Sequence, residues 1–229
     1  MTRYEVKLAL HERDRSRLLS ELRLLPNVLT TLHAPRTVQS VYLDTHGGEA
    51  LQDNLAGLAA RRKVRFRWYG EARGEVLGAL EIKRRNHQYG DKDVHAIAAP
   101  VAVAGATRSA FVAALRSLSP AVVQPLLDCL EPSQWIRYRR EYFGDTTGRL
   151  RVTVDADLVA FDQRFATRLA DTMPTPLPRL CIVELKADAA DRGLVEEWLQ
   201  RLDVRPSRCS KYVMACLPSE APEPSRFEV

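Results

Sequence analysis

The sequence predicts an α+β fold that consists mainly of antiparallel β-strands. Short runs of β-branched and aromatic residues recur along the chain, as in residues 38–43 (VQSVYL). Other runs alternate strictly between apolar and charged residues, and residues 63–69 (KVRFRWY) are the clearest example. Short helical patterns fall between these runs. This arrangement is typical of a closed or nearly closed β-barrel, or of a β-sandwich.

Each predicted element follows from its residue pattern. Alternation or β-branched content predicts strands at residues 3–10, 38–43, 63–69, 79–85, 93–97, 135–143, 150–154 and 180–186. Apolar residues at helical spacing predict helices at residues 12–25, 49–58, 107–118, 121–130 and 194–202. Three prolines within residues 171–179 predict a loop there, because proline fits neither a helix interior nor a central strand.

The composition is that of a folded protein with a modest excess of positive charge. The 229 residues are 45% hydrophobic, which is enough for a large core. We expect one domain over residues 1–217 and a flexible tail over residues 218–229, which is rich in Pro, Glu and Ser. The balance of 34 basic and 29 acidic residues gives a net charge of +5. That charge suits an anionic ligand without requiring one.

The expected location is the cytoplasm. The four cysteines form no C-x-x-C pair, so we expect reduced thiols. The N-terminus has no apolar signal core, and no stretch approaches the roughly 20 apolar residues of a membrane span. We therefore expect no membrane insertion by this chain, while a membrane-protein partner remains open.

Charged residues share strand faces because residues two apart in a strand point the same way. For one strand, a solvated outer face is the ordinary explanation. Here Lys or Arg recurs at alternate positions on many strands, and three strands carry a Glu two residues before a Lys. These pairs are Glu5/Lys7, Glu81/Lys83 and Glu184/Lys186. Because neighbouring cations repel one another, the pattern favours an inward-facing site that a polyanion neutralises, with carboxylates suited to Mg²⁺ or Mn²⁺.

Other classes of site find little support in the sequence. The chain has no Walker loop, no GxGxxG at a helix start and no recognisable nucleophile motif, and its five histidines lack metal-ligand spacing. A nucleic-acid binder would carry its basic residues on an exposed face with interleaved aromatic residues. We therefore expect no nucleic-acid partner.

Several segments resemble the vacuolar transporter chaperone (VTC) domain, the polyphosphate polymerase module of the CYTH-like, triphosphate tunnel metalloenzyme superfamily. The matching segments are residues 38–45, 53–54, 62–70, 80–83, 138–143, 149–155, 183–186 and 210–212, and RKVRFRWYG at 62–70 is the most specific. The resemblance runs over nearly the whole chain. It implies a tunnel of eight antiparallel strands with flanking helices, in which ATP donates its γ-phosphate to a growing polyphosphate chain.

The resemblance also implies roles for particular residues. The catalytic set it implies is Lys7, Arg65, Arg67, Lys83, Arg140, Arg151, Glu184 and Lys211. All of these except Glu184 would bind phosphate, together with Lys92, Lys186, Arg208 and Ser210. Glu184 would be the principal ligand of Mn²⁺ or Mg²⁺, with Glu5 and Glu81 as further ligands.

Two departures from the family pattern qualify this reading. The N-terminal motif Glu5-x-Lys7 is shorter than the ExExK motif of the triphosphatase and cyclase branches, which argues against those branches. Arg208 stands where the polymerases carry lysine, which keeps the charge but changes the donor geometry. A triphosphate or tripolyphosphate hydrolase and a non-catalytic polyphosphate-binding module remain alternatives to the polymerase.

Overall fold

The computed structural model describes residues 3–24, 29–71, 74–86, 89–118, 121, 124, 126, 130–202 and 204–225. The strands in these parts are β1 (Arg3–His11), β2 (Leu29–Asp44), β3 (Ala60–Tyr69), β4 (Glu75–Val76), β5 (Gly78–Asn86), β6 (Tyr89–Ala96), β7 (Val101–Ala102), β8 (Glu131–Asp145), β9 (Leu150–Asp162) and β10 (Leu180–Asp188). The α-helices are α1 (Arg15–Leu24), α2 (Glu49–Leu55), α3 (Arg108–Leu118), α4 (Arg192–Leu202) and α5 (Lys211–Cys216).

Eight of the strands form one antiparallel sheet, which confirms the α+β, mainly antiparallel class. The strand order is β1-β10-β9-β8-β2-β3-β5-β6. β4 and β7 form a separate two-stranded ladder. Each of the eight predicted strands corresponds to one strand of the large sheet.

The largest difference from the predicted elements lies in β2, which begins nine residues before the predicted start. Pro35 lies in this extension, and proline argues against a central strand. The ladder to β8 shifts its register between Thr31 and His33 and again between His33 and Arg36. Such bulges tolerate a proline, so the strand continues where the sequence pattern ends.

The helices also differ in part from the prediction. α5 was not predicted, because it is short and almost entirely buried and so lacks the one-sided apolar pattern of a surface helix. The predicted helix at residues 121–130 lies largely outside the described residues. No helix in the described parts of the chain is long and apolar enough to cross a membrane.

The predicted closure of the barrel is not found. Within the described residues no ladder joins β1 to β6, so the large sheet is open in its hydrogen bonding. β6 has the sequence YGDKDVHA, and such charged residues are typical of an edge strand that resists further pairing. Alternation fixes which residues share a face, but it contains no information on whether the two end strands pair.

Although open, the sheet is strongly curled. β1 and β5 are six steps apart in the strand order, which would separate them by roughly 29 Å in a flat sheet. Nevertheless, Glu5 Oε2 on β1 lies 3.7 Å from Lys83 Nζ on β5. The sheet therefore has a concave face that carries these two side chains, and a convex face that carries the alternate residues.

The hydrophobic core lies mainly on the convex face. Phe66 and Trp68 of β3 are buried there in one cluster with Phe111 of α3. A second cluster packs α1 and α4 against β1, β9 and β10, and Trp198 of α4 is its largest member. With one face covered by helices, the opposite face is left for polar residues.

α5 packs on the concave face near the ends of β2 and β8. The Tyr212 ring stacks on the Tyr42 ring with centroids 5.1 Å apart. The Tyr212 hydroxyl donates to Asp44 Oδ2 at 2.5 Å. In the segment predicted as a tail, Ser225 N donates to Ala9 O at 2.8 Å, and residues 226–229 lie outside the described residues. The domain boundary at residue 217 stays a prediction.

Candidate functional site

Strand parity and register bring the predicted site residues to the concave face. In β3, Val64, Phe66 and Trp68 enter the convex core, so Arg65 and Arg67 point the other way. Tyr42, Arg65 and Glu81 are directly opposite one another on β2, β3 and β5. Lys7, Glu184, Thr153 and Tyr142 form a similar row on β1, β10, β9 and β8.

All six lysines of the chain belong to this site, whereas the other cations are arginines. Lys7, Lys83, Lys92 and Lys186 lie on strands with the parity of the concave face, as does Lys63. Lys211 is the first residue of α5 and contacts the same cluster. Lysine is a compact charge with three donors and a titratable proton, unlike arginine. This distribution distinguishes the site from the rest of the surface, and it is readable from the sequence once the strands are placed.

Glu184 is the centre of one ionic cluster. Lys186 Nζ lies 2.6 Å from Glu184 Oε2, and Lys7 and Lys211 lie 3.5 and 3.6 Å from Oε1. Burial of Glu184 opposes its ionisation, but the charges of Lys7, Lys211 and Lys186 outweigh burial and hold its pKa well below the ordinary value. Glu184 is therefore an ionised carboxylate in a buried position, and in the part of the chain that the structure describes its Oε1 has only ionic contacts of 3.5 Å or longer.

Asp155 is a site residue that the sequence prediction missed. It is fully buried, and Arg140 donates to both of its oxygens at 2.6 and 2.7 Å. Lys211 Nζ lies 2.6 Å from Asp155 Oδ2. Burial opposes the ionisation of Asp155, but Lys211 and Arg140 lower its pKa. Asp155 thus fixes the positions of two cations beside Glu184. The sequence signal that could have identified it is that it shares a strand face with Arg151.

Glu81 is the centre of a second cluster that is separate from Glu184. Arg65 Nε donates to Glu81 Oε2 at 2.7 Å, and Lys92 Nζ donates to Oε1 at 2.7 Å. Arg67 Nη1 lies 3.4 Å from Oε2. Burial opposes ionisation of Glu81, but Arg65 and Arg67 outweigh it and lower the pKa to about 2. Both carboxylate oxygens therefore serve to orient the two arginines.

Tyrosine hydroxyls complete the orientation of these arginines. Arg65 Nη1 donates to the Tyr42 hydroxyl at 2.9 Å, and Arg67 Nη2 donates to the Tyr138 hydroxyl at 3.1 Å. The Tyr138 ring also lies 4.9 Å from Lys211 Nζ and 5.3 Å from the Arg140 guanidinium carbon. The two ionic clusters are therefore held in fixed relation through Tyr138.

Glu5 and Glu184 fit a divalent cation better than Glu81 does. Both have an oxygen 3.5 Å from the same Lys7 Nζ, so the two carboxylates are neighbours. The contacts of Glu5 with Lys7 and Lys83 are longer than hydrogen bonds, at 3.5 and 3.7 Å, whereas both oxygens of Glu81 accept short hydrogen bonds. No group of three or more His, Cys, Asp or Glu residues suited to a metal occurs among the residues that the structure describes. Two carboxylates would thus need oxygens from a bound phosphate or water to complete a metal's coordination.

The remaining predicted residues lie around these clusters. Arg151 is exposed and directly opposite Lys186. Arg208 is exposed and lies near Arg61. Burial lowers the pKa of Arg61 most, followed by the charge of Arg85 and then by the charge of Arg208. Ser210 is the N-cap of α5, and its hydroxyl accepts a hydrogen bond from Lys63 Nζ at 2.8 Å.

Lys63 is the second residue that the sequence prediction missed. Its Nζ has no ion pair with a carboxylate among the described residues, and it is directly opposite Lys83. Burial, and then the charges of Lys7, Lys83, Arg61 and Arg65, together lower the pKa of Lys63 to about 7. Lys63 is therefore a half-buried cation whose counter-charge is not supplied by a described carboxylate.

Lys63→Met should make the ligand-free protein more stable at pH 6, by a few kcal/mol at ~1.4 kcal/mol per unit of pKa shift. The unfolded chain keeps an ordinary lysine pKa, so wild-type stability rises with pH between about 7 and 10.5. The advantage of the variant should accordingly shrink across that range. Urea unfolding at pH 6, 8 and 10 measures this, with Arg192→Met on exposed α4 as a control. A variant less stable than wild type at pH 6 would contradict the account.

The family of the chain follows from its match to a known domain. The VTC domain matches residues 2–218. The chain belongs to the VTC domain family. The match covers all ten strands and all five helices described above. The concave face with Glu184 and the lysines therefore lies within the VTC domain.

A solved structure supports the fold of this VTC domain. A Vibrio parahaemolyticus protein, named as a candidate adenylate cyclase, is similar with a TM-score of 0.51 and 11% identity, covering 92% of this chain and 96% of its own. At that identity the likeness shows the fold alone. A chain of the Schizosaccharomyces pombe Mediator head module reaches a TM-score of only 0.38 at 9% identity, covering 97% of each chain, which does not establish a shared fold. Among curated proteins, no sequence matches this chain significantly.

Proposed function

We propose that this VTC domain binds triphosphate and polyphosphate on its concave face and transfers the γ-phosphate of ATP to a growing polyphosphate chain. The observation that supports this most strongly is the excess of cations at the site. Among the described residues of the two ionic clusters and their surroundings, six lysines and four arginines lie around four carboxylates. The lysines are named above; the arginines are Arg65, Arg67, Arg140 and Arg151, and the carboxylates are Glu5, Glu81, Asp155 and Glu184. A polyanion would supply the missing negative charge.

The arginines are already oriented for this task. Glu81, Tyr42 and Tyr138 hold Arg65 and Arg67 side by side, so little side-chain entropy is lost when a phosphate binds. Guanidinium groups donate to phosphate oxygens in pairs, whereas lysines act as point charges. We propose that Arg65 and Arg67 fix the triphosphate, while Lys7, Lys186, Lys211 and Arg140 surround its reacting end near Glu184.

The chemistry requires little of the protein beyond positioning and charge. A terminal oxygen of the chain forms a bond to the γ-phosphorus, the bond between the γ-phosphorus and its bridging oxygen breaks, and ADP leaves with the electron pair. Lysines and arginines that contact the non-bridging oxygens stabilise the charge that spreads over them in the transition state. The product is a chain longer by one phosphate.

We further propose that Glu184 and Glu5 hold a divalent cation, Mn²⁺ or Mg²⁺. Their oxygens are hard donors, and both groups have lowered pKa values although burial opposes this. When bound, such an ion withdraws negative charge from the phosphate oxygens. Glu81 is not included, because its two oxygens orient Arg65, Arg67 and Lys92.

Incubation of the purified protein with ATP and Mn²⁺ tests the proposed activity. We expect ADP and long polyphosphate, detected by ³¹P NMR as growth of the inner-phosphate signal. Orthophosphate with no chain growth would instead identify a triphosphate hydrolase. Tight binding of polyphosphate without turnover would identify a binding module, and failure to bind tripolyphosphate would contradict every form of the proposal.

A further inference from the structure

The two ends of the concave face differ in chemistry. Along β3 this face is occupied in turn by Arg61, Lys63, Arg65, Arg67 and Tyr69, a span of about 26 Å. At one end lie the cations Arg61, Lys63, Lys83, Arg85 and Arg208, here called the cation end. At the other end lie Arg36, Tyr69 and Tyr142, here called the aromatic end.

The aromatic end presents ring faces rather than charge alone. The Arg36 guanidinium carbon lies 5.7 Å from the Tyr69 ring centroid and 5.9 Å from the Tyr142 ring centroid. Val38 of β2 lies opposite Tyr69 of β3 and opposite Tyr138 of β8. Tyr69 is therefore on the same face as Tyr138 and the phosphate-binding arginines. Tyr69 is 53% exposed, so its ring is accessible to a ligand.

Two polar atoms, one at this end and one between it and Glu184, have no hydrogen-bond partner among the described residues. The Tyr142 hydroxyl and Thr153 Oγ1 are buried and have no hydrogen bond in the described parts of the chain. The two residues are directly opposite one another on β8 and β9, and Thr153 is opposite Glu184 on β10. A buried hydroxyl without a partner costs roughly 1–3 kcal/mol, so a ligand that bonds to it gains affinity.

We propose that the aromatic end is a nucleoside subsite, which takes the purine ring and ribose of ATP. The triphosphate then runs along β3 past Arg67 and Arg65, and the acceptor chain lies toward the cation end. This inference rests on the proposed function, because it concerns the orientation of the same nucleotide.

The ligands themselves match the two ends. Polyphosphate carries charge but no ring, and the five residues that define the cation end are all cations. A nucleoside carries a ring that stacks on tyrosine or arginine and hydroxyls that pair with a polar side chain. Burial, and then the nearby Tyr69, raise the pKa of Tyr142 to about 12, so its hydroxyl keeps a proton to donate at neutral pH.

Calorimetric titration of Tyr69→Ala with ATP and with tripolyphosphate, both without divalent metal, tests the inference. We expect ATP affinity to fall about ten-fold, as for loss of one stacking partner, while tripolyphosphate affinity stays within about two-fold. Tyr142→Phe, which removes only the hydroxyl, should weaken ATP about five-fold and leave tripolyphosphate unchanged. Phe165→Ala removes an aromatic residue that is 91% exposed and lies in the loop after β9, and it serves as a control that should change neither affinity.

The outcomes separate this inference from the proposed function. If both tyrosine variants weaken ATP and tripolyphosphate equally, or weaken neither, the nucleoside subsite is wrong although phosphate binding stands. If wild-type protein binds neither ligand, the proposed function fails and the subsite fails with it. Only a loss confined to ATP supports the subsite.

Discussion

Glu184→Gln is expected to abolish metal-dependent turnover of ATP, with a loss of about a hundred-fold or more, because a bound metal contributes several kcal/mol of charge stabilisation. Glutamine keeps the shape of the side chain but removes the charge and one hard oxygen donor. Tripolyphosphate binding should remain within about three-fold of wild type or become tighter, since loss of a negative charge does not oppose an anion. Steady-state rates over a series of Mn²⁺ concentrations, with a separate titration of tripolyphosphate, measure both effects.

Glu81→Gln is the matched control for this prediction. It makes the same chemical change on the same concave face, but Glu81 orients Arg65, Arg67 and Lys92. We expect this variant to weaken phosphate binding while its dependence on Mn²⁺ concentration stays that of wild type. Full metal-dependent activity in Glu184→Gln would show that the metal assignment is wrong.

The double variant Arg65→Ala, Arg67→Ala is expected to weaken tripolyphosphate binding by about 3–6 kcal/mol, because each charge-assisted contact contributes ~1.5–3 kcal/mol. At ~1.4 kcal/mol for each ten-fold change, this is a loss of roughly two to four orders of magnitude. Titration calorimetry at a fixed ionic strength measures the dissociation constants. An unchanged affinity would contradict the placement of these arginines at the ligand.

Two further variants make this test specific. Arg192→Ala with Arg201→Ala removes the same net charge from the exposed surface of α4, and it should leave the affinity nearly unchanged. Replacement of Arg65 and Arg67 by lysine keeps the charge without the paired donors, so its affinity should lie between those of wild type and the alanine variant. Thermal unfolding of each variant identifies any loss of folded protein, since the alanine variant leaves Glu81 with fewer counter-charges.

The predicted faces of the strands were largely readable from the sequence. Arg65 and Arg67 alternate with Val64, Phe66 and Trp68, and the structure places the apolar set in the core and the arginines on the concave face. The prediction of strand faces is reliable, because a shift of one residue in the pairing register would move every charged side chain of a strand into the core.

Other parts of the site depended on contacts between distant strands. Asp155 ends the matching segment 149–155, but nothing in that segment marks it as a site residue. Its importance comes from Arg140 on β8 and Lys211 on α5, which both contact it. Glu81 repeats the Glu-x-Lys pattern of Glu184, yet its neighbours on β3 and β6 differ from those of Glu184 on β1 and α5. A repeated local pattern therefore led to the same prediction for two carboxylates whose surroundings are different.

Taken by itself, the sequence determined the antiparallel class, the strand faces and the family resemblance of this chain. Local alternation and residue type suffice for the class and the strand faces, because both depend on neighbours within a few residues, whereas the resemblance rests on segments spread over nearly the whole chain. The tertiary structure alone decided that the sheet stays open yet curls until Glu5 meets Lys83, and that Lys63 lies half-buried among cations. These features depend on twist accumulated over eight strands and on charges brought together from far apart in the chain, neither of which a local pattern records.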